Sequence, residues 1–180
     1  MQTFEEMERQ WTDGPRPPRA PGRVALIVLR KGNGVHETPA SACLTPAEGL
    51  RGDRWATGPR PERGRQVTLM MTRAAEILGA GAQALHEAGD NVLVDLDLSE
   101  AALPVGSRLR LGSAMLQVTP EPHMGCAGFR ERFGADALRW VNWKPHRHRR
   151  LRGVNCLVLE AGEVAVGNRI DVLPPLDPGA

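Results

Sequence analysis

The segment that decides the fold spans residues 103–119 and reads LPVGSRLRLGSAMLQVT. Over residues 108–111, arginine and leucine alternate, which is typical of a strand that buries one face and exposes the other. Gly112-Ser113 supplies turn residues, and a second apolar run of strand length follows over residues 114–119. The segment therefore predicts a β-hairpin.

Similar apolar runs recur on both sides of this hairpin, separated by turns rich in Gly, Asn and Pro. They occupy residues 24–29, 66–71, 92–94, 153–160, 163–166 and 169–173. Helices are predicted over residues 73–88, with Thr72 as the N-cap, and over residues 128–143, with a break at Gly134. Residues 44–64 lack periodicity and are expected to form a long loop, which in proteins tends to be functional. Many short strands with few helices favour a mainly-β barrel with a few helical insertions.

The length of 180 residues fits one domain with a sizeable core. Residues 1–22 are expected to form an N-terminal segment, with a short amphipathic helix over residues 4–11 and then a linker rich in Pro and Arg. The folded domain is predicted over residues 23–173, and residues 174–180 are expected to form a flexible tail.

Composition narrows the cellular setting and the class of partner. Lys and Arg total 23 and Asp and Glu total 21, so the net charge of +2 does not favour nucleic acid or a membrane as partner. No apolar run reaches the length of a bilayer span, and the N-terminus lacks the apolar centre of a signal peptide. Three widely spaced cysteines do not form a disulfide framework. We expect a cytoplasmic protein with reduced thiols.

Cys126 carries the strongest chemical signal in the chain. The apolar run 114–119 stops at two prolines, and a histidine and this cysteine follow. Because prolines end strands and fix turns, we expect the thiol on a loop at the lip of a sheet. There it is a candidate nucleophile or soft metal ligand. Cys43 and Cys156 lie in apolar surroundings and are expected to be structural.

A set of motifs, taken in order, resembles a known family. They are GLRGDR at 49–54, RQVTL at 65–69, GDN at 89–91, LPVGSRLRLG at 103–112, the loop cysteine at 126, and GEVAVGNRI at 162–170. Together they resemble the MOSC domain, which forms the C-terminal part of molybdenum cofactor sulfurases. The domain also occurs in stand-alone bacterial proteins and in the mitochondrial amidoxime-reducing component. The resemblance covers residues 23–173.

The resemblance implies a β-barrel of the pyruvate-kinase barrel-domain type and one functional cysteine, whose place Cys126 takes. In the family this cysteine is proposed to ligate molybdenum in the pterin cofactor (molybdopterin) or to carry a persulfide. Pyridoxal phosphate is expected only as an association of the family. Two positions depart from the family pattern: Asp90 stands where many short relatives have Glu, and Gly125 stands where relatives often have Pro or Arg.

Four further residues are candidates for cofactor binding. Arg54 offers a planar fork for a molybdopterin phosphate, with Asp53 fixing its geometry, although a salt bridge within a turn explains the pair equally well. Gln66 begins a strand and is expected to face the same mouth or to pair at a strand edge. Asn91 offers a donor and an acceptor to a pterin edge, or ordinary turn chemistry. His123 is placed to lower the pKa of the nearby thiol.

Two alternatives use other residues. The basic run 144–152, with Trp140 and Trp143 beside it, is a candidate anion- or RNA-binding surface, or else a solvated helix end. Two short His and Cys groups could supply four zinc ligands, namely His123, Cys126, His146 and His148.

These observations leave three functions open. In the first, a bound molybdenum cofactor reduces N-hydroxylated small molecules, with electrons from a separate electron-transfer protein. In the second, Cys126 is a persulfide carrier that receives sulfur from a cysteine desulfurase. In the third, the chain is an anion- or RNA-binding module. An enzymatic role is therefore undecided by the sequence.

Overall fold

The structure, a computed structural model, describes residues 1–59, 61–80 and 85–176. Its strands are β1 (Gly22–Ile27), β2 (Leu29–Gly32), β3 (Val35–Glu37), β4 (Ser41–Thr45), β5 (Gly49–Leu50), β6 (Val67–Met71), β7 (Val92–Asp95), β8 (Arg108–Leu111), β9 (Ala114–Val118), β10 (Val154–Glu160), β11 (Gly162–Ala165) and β12 (Arg169–Leu173). Its α-helices are α1 (Phe4–Asp13), α2 (Thr72–Ala75), α3 (Ala127–Phe133) and α4 (Ala135–Asn142).

The predicted hairpin forms from β8 and β9, with Leu109 opposite Leu116 and Leu111 opposite Ala114. It lies within a closed barrel of seven strands in the order β1-β12-β8-β9-β10-β6-β7, and β7 pairs back with β1. All these pairs are antiparallel except β6 with β7. The prediction of a mainly-β barrel with helical insertions is confirmed.

Aliphatic side chains fill the barrel because the chain has few aromatic residues. Leu109 and Leu111 are fully buried, whereas the arginines that alternate with them are partly exposed. The predicted strand over residues 24–29 is wrong in one respect, since it divides into β1 and β2 at Val28. The backbone N–H of Val28 donates to the carbonyl of Asn91 at 2.8 Å, just before β7 begins.

Two smaller sheets decorate the barrel. Strands β11, β4 and β5 form one, and β2 with β3 forms the other. The expected long loop over residues 44–64 therefore begins as sheet, because Leu44 pairs with Leu50 and both are fully buried. The remainder consists of turns and a 3₁₀ turn at Arg63–Arg65, with residue 60 outside the described residues.

The two helix predictions have different outcomes. Residues 128–143 form α3 and α4 with the expected break at Gly134, whose φ is 93°. The single helix over residues 73–88 is wrong, since α2 passes into a π-helical turn in which Gly79 has a φ of 83°. That conformation cannot continue a helix. Met71, rather than Thr72, occupies the N-cap of α2, and residues 81–84 lie outside the described residues.

Helix α1 packs against the rest of the chain. Thr3 and Glu6 form a capping box, and Met7 and Trp11 are buried. Glu8 accepts hydrogen bonds from Trp140 Nε1 at 3.1 Å and from Arg149 Nη1 at 2.8 Å. Within the described residues, no helix combines the length and apolar character that crossing a membrane requires.

The close approach of Gly153, just before β10, to β6 can be tested by substitution, with Gly167 as the control. Gly153 and Gly167 both have positive φ, at 98° and 86°. A Cβ at Gly153 would lie 2.0 Å from the Leu69 carbonyl oxygen, whereas a Cβ at Gly167 would meet open space. Gly167→Ala is expected to lower the free energy of unfolding by about 1 kcal/mol, from backbone strain alone. Gly153→Ala is expected to lower it by more than about 3 kcal/mol, as measured by urea denaturation. Equal losses of unfolding free energy in the two variants would contradict the close contact between Gly153 and β6.

Candidate functional site

A buried carboxylate joins three separate segments at one end of the barrel. Asp90 precedes β7 and is fully buried, and its Oδ2 accepts a hydrogen bond from Arg152 Nη1, just before β10. Its Oδ1 lies 2.7 Å from Nε2 of His123, in the loop after β9. Arg152 Nη2 donates to the Ala88 carbonyl at 3.3 Å. Asp90 is therefore an anchor for the loop that leads to Cys126.

The charges in this cluster are set by burial and by each other. Burial raises the pKa of Asp90, but the Arg152 guanidinium and His123 outweigh it and bring that pKa to about 2. Burial lowers the pKa of His123, and the charge of Arg152 acts in the same direction against the opposing effect of Asp90. At neutral pH Asp90 is ionised and His123 is neutral. A neutral His123 carries no positive charge, which does not favour its predicted electrostatic role toward the thiol.

A second anchor holds the loop directly before the cysteine. The Asn142 side chain, at the end of α4, accepts from the Gly125 backbone N–H at 2.9 Å and donates to its carbonyl at 3.2 Å. Cys126 then occupies the N-cap position of α3, and its side chain is exposed. The thiol thus follows a loop at the end of β9, as the prolines predicted.

Packing explains why residue 125 is a glycine. A Cβ at Gly125 would lie 2.7 Å from Leu138 Cδ1 and 3.2 Å from Val141 Cγ2, both on α4. The backbone here lies flush against the helix, and a proline or arginine would have to displace it. Without a side chain of its own, residue 125 is held by the amide of Asn142.

Cys126 lines an open cleft of about 720 Å³. The floor includes Thr68 and Asn155, which pair across β6 and β10. The cleft is lined by three arginines, by Trp55 and by segments rich in Gly and Pro, and the described lining residues include no carboxylate. The arginines are Arg30, Arg54 and Arg65. The lining therefore offers cationic groups to an anionic ligand, to the extent that its arginines are not already paired.

The three arginines differ in their freedom to bind a ligand. Arg30 is held by Asp53, with Nη2 2.8 Å from Oδ1 and Nε 2.9 Å from Oδ2. Arg65 pairs at the surface with Glu62 at 3.1 Å and Glu121 at 3.6 Å. The Arg54 side chain is exposed and makes no hydrogen bond or ion pair within the described residues. The expected support of Arg54 by Asp53 is wrong, because that carboxylate holds Arg30 instead.

Gln66 and Asn91 do not line the cleft. Gln66 is fully buried, where Nε2 donates to the Pro46 carbonyl at 2.7 Å and Oε1 accepts from the Val158 N–H at 2.8 Å. Asn91, also buried, accepts from the Thr68 N–H at 3.1 Å and donates to Asp53 at 2.9 Å. Both amides are committed to protein partners, so neither is free for a pterin in this geometry.

The lining residues that the sequence analysis did not predict include Trp55, Arg30, Thr68 and Asn155. The last two had a usable signal, because each is a polar residue inside an apolar strand run. Arg30 had none, since its place at the cleft depends on Asp53 from a distant turn.

The structure does not favour the two alternative sites, the zinc site and the basic run. Among the described residues there is no group of three His, Cys, Asp or Glu side chains that could hold a metal, so the zinc hypothesis is wrong. Much of the basic run is used internally, since Arg149 pairs with Glu8 and Arg152 with Asp90. Trp140 is fully buried and cannot stack on a base, whereas Trp143 remains partly exposed.

Comparison with known proteins agrees with this geometry. The family model of the MOSC domain matches residues 70–171, which is more than half of the chain. The chain belongs to the MOSC domain family. No curated protein matches this MOSC protein significantly.

Solved structures share the fold of this MOSC protein. YuaD from Bacillus subtilis is 18% identical, with a TM-score of 0.64 over 86% of this chain and 97% of that one. YiiM from Escherichia coli is 17% identical, with a TM-score of 0.58 over 89% and 72% of the two chains. YiiM from Geobacillus stearothermophilus is 14% identical, with a TM-score of 0.55 over 86% and 76%. At these identities the likeness concerns the fold alone.

Removing the buried carboxylate tests the first anchor. Asp90→Asn leaves the Arg152 charge buried and unpaired, so the free energy of unfolding at pH 7 is expected to fall by about 3–5 kcal/mol. Asp95→Asn, at an exposed position of β7, is the matched control and is expected to change it little. Urea denaturation measures both, and equal stability of the two variants would contradict the anchor.

The same pair predicts a dependence on pH. The pKa of Asp90 is about 2 in the folded protein, below the ordinary value of 3.8. Its contribution to stability is therefore complete above about pH 4 and is lost as the pH falls toward 2. The loss amounts to about 2 kcal/mol. The difference in unfolding free energy between the wild type and Asp90→Asn is expected to decrease as the pH falls from about 4 to 2. A difference that does not change with pH would contradict the assignment.

The Asn142 clamp can be tested at one backbone amide. Asn142→Ala removes the acceptor of the Gly125 N–H, so hydrogen exchange at this amide, followed by NMR, is expected to accelerate about tenfold or more. Asn142→Asp keeps an acceptor oxygen and is expected to retain slow exchange. Equal exchange in the alanine variant and the wild type would contradict the clamp.

Proposed function

We propose that this MOSC protein binds the molybdenum cofactor in the Cys126 cleft and reduces N-hydroxylated compounds there. The observation that carries the proposal is an exposed thiol in a cleft lined by arginines, with no carboxylate among its described lining residues. The family is associated with this cofactor, which combines a metal, a flat pterin and a phosphate.

The residues present fit each part of that group. A thiolate is a soft ligand, and a metal carried by its own organic ligand needs only one such group from the protein. Arg54 is free to pair with a phosphate, and Arg30 is preorganised by Asp53 beside it. Thr68 and Asn155 offer polar atoms at the floor of the cleft. The volume of about 720 Å³ is within the usual range for small-molecule sites.

When bound, the cofactor supplies the two-electron redox chemistry that reduction requires. Reduction of a hydroxylamine to an amine breaks the N–O bond, consumes two electrons and two protons, and releases water. The sequence contains no flavin, haem or iron–sulfur motif, so a separate electron-transfer protein would provide the electrons.

His123 is the candidate for proton transfer at the cleft. Its Nε2 is engaged by ionised Asp90, and this leaves Nδ1 as the proton-accepting nitrogen of the neutral ring. Cys126 would hold the metal and Arg54 would pair with the phosphate, and His123 lines the same cleft as both. Asp90 accepts a hydrogen bond from the Nε2–H group, and this favours the tautomer that carries its proton on Nε2.

A second candidate function is persulfide transfer. The exposure of Cys126 favours it, because a sulfur carrier must present its thiol to a donor enzyme and then to an acceptor. The donor would be a cysteine desulfurase. Arginines around the thiol would stabilise the anionic persulfide.

Metal content separates the two candidates. The protein is purified from a host that makes the cofactor, and molybdenum per chain is measured by mass spectrometry. Stoichiometric molybdenum is expected in the wild type and in Cys43→Ala, which removes a half-buried thiol outside the cleft. Cys126→Ala is expected to lose the metal. Arg54→Ala is expected to lower occupancy about tenfold, through the lost charge-assisted hydrogen bond.

Other outcomes would redirect the proposal. A metal-free wild type that gains one sulfur atom on Cys126 after incubation with a desulfurase would support the carrier. Retention of molybdenum in Cys126→Ala would contradict the ligand role of the thiol. Absence of both metal and sulfur would leave neither candidate standing.

A further inference from the structure

A second cavity of about 280 Å³ adjoins the Cys126 cleft. The two share the residues Pro122, His123, Met124 and Asn155 in their linings, but Cys126 belongs only to the larger one. The loop after β9 thus contacts both spaces. The proposed function uses only the cleft, so the smaller cavity has no assigned ligand.

Three arginines from the end of the basic run line this cavity, and they are not equally neutralised. Arg152 is paired with Asp90, and its Nε is buried with no hydrogen-bond partner among the described residues. Arg150 donates to the carbonyls of Leu98 at 3.4 Å and Leu103 at 2.6 Å. Arg147 is exposed. Within the described part of the chain, Arg150 and Arg147 have no carboxylate within salt-bridge distance.

Two carboxylates also line the cavity, but they do not cancel this charge. Glu121 already pairs with Arg65 at 3.6 Å, on the side of the larger cleft. Glu100 is exposed and lies near Arg150. Burial lowers the pKa of Arg150, and the charge of Glu100 offsets only part of this effect. Two arginines without ion-pair partners against one such glutamate leave an excess of positive charge.

The rest of the lining is apolar. Val105, Val141 and Val154 contribute methyl groups, and Met124 adds a flexible thioether. Val105 is 47% exposed and stands at the surface, whereas Val141 and Val154 are buried. A cavity with cationic side chains beside an apolar lining is complementary to a molecule that carries an anionic group on a small apolar body.

We propose that this cavity binds a small organic carboxylate, with its apolar body against the valines and its carboxylate at Arg147 and Arg150. The site is separate from the cofactor proposed for the cleft and does not depend on it. The small volume restricts the ligand to about ten non-hydrogen atoms. Because His123 and Met124 line both spaces, the bound ligand would contact the loop that carries the thiol.

The test uses benzoate and its neutral isostere benzamide on the purified chain, without any cofactor. Binding is followed by NMR of methyl-labelled Val and Met. Benzoate is expected to shift the methyl signals of Val105, Val154 and Met124 saturably, and benzamide is expected to bind at least about tenfold more weakly. Equal binding of the two probes would overturn the anionic character of the site. No saturable shift with benzoate would overturn the site itself.

Variants locate the ligand. Arg147→Gln is expected to weaken benzoate binding about fivefold or more, and Val105→Trp, which fills the cavity from its exposed side, is expected to abolish it. Lys144→Gln lies in the same basic run but outside the lining and is the matched control. Unchanged unfolding midpoints show that the variants fold. Loss of binding in Arg54→Gln with retention in Arg147→Gln would place the probe in the Cys126 cleft and overturn the proposal.

Discussion

The ion pair between Asp90 and Arg152 connects the barrel to the loop on which the candidate chemistry depends. Asp90 is fully buried, so its charge is tolerated only because Arg152 and His123 both bind it. These three residues belong to segments that are far apart in sequence. The carboxylate therefore joins the start of β7, the start of β10 and the loop after β9, and it also sets the tautomer of His123. A longer glutamate at this position would need a different spacing between these segments.

The other features of the site follow from how the chain surrounds this anchor. Asn142 clamps the backbone of Gly125, where α4 leaves no room for a side chain. Asp53 orients Arg30 and accepts a hydrogen bond from the Asn91 amide. Asn91 therefore supports a lining residue of the cleft without lining the cleft itself. Arg54 remains free at the surface. The result is a rigid support beneath an exposed thiol and one uncommitted guanidinium, which is an arrangement suited to holding an anionic cofactor.

Much of the fold could be predicted from local pattern. Alternation over residues 108–111 identified the hairpin, and the glycine at 134 marked the break between α3 and α4. The helix over residues 73–88 failed because apolar spacing outweighed Gly79, whose positive φ ends the regular helix. For the candidate site, the prolines placed Cys126 on a loop correctly. Gln66 and Asn91 were misjudged because hydrogen bonds to the distant Pro46, Val158, Asp53 and Thr68 decide what their amides can bind.

By itself, the sequence determined the β-rich character of the chain, the loop position of Cys126 and the membership that its ordered motifs indicate. Those properties depend on residues that are neighbours in the chain, through the period of strands and the rigidity of proline. Only the tertiary structure decided which arginines are neutralised, which amides are occupied and which cavities the basic run lines. Charge and hydrogen-bonding capacity are used by whichever group folding brings near, and for Arg152 that group is Asp90, which is distant in sequence.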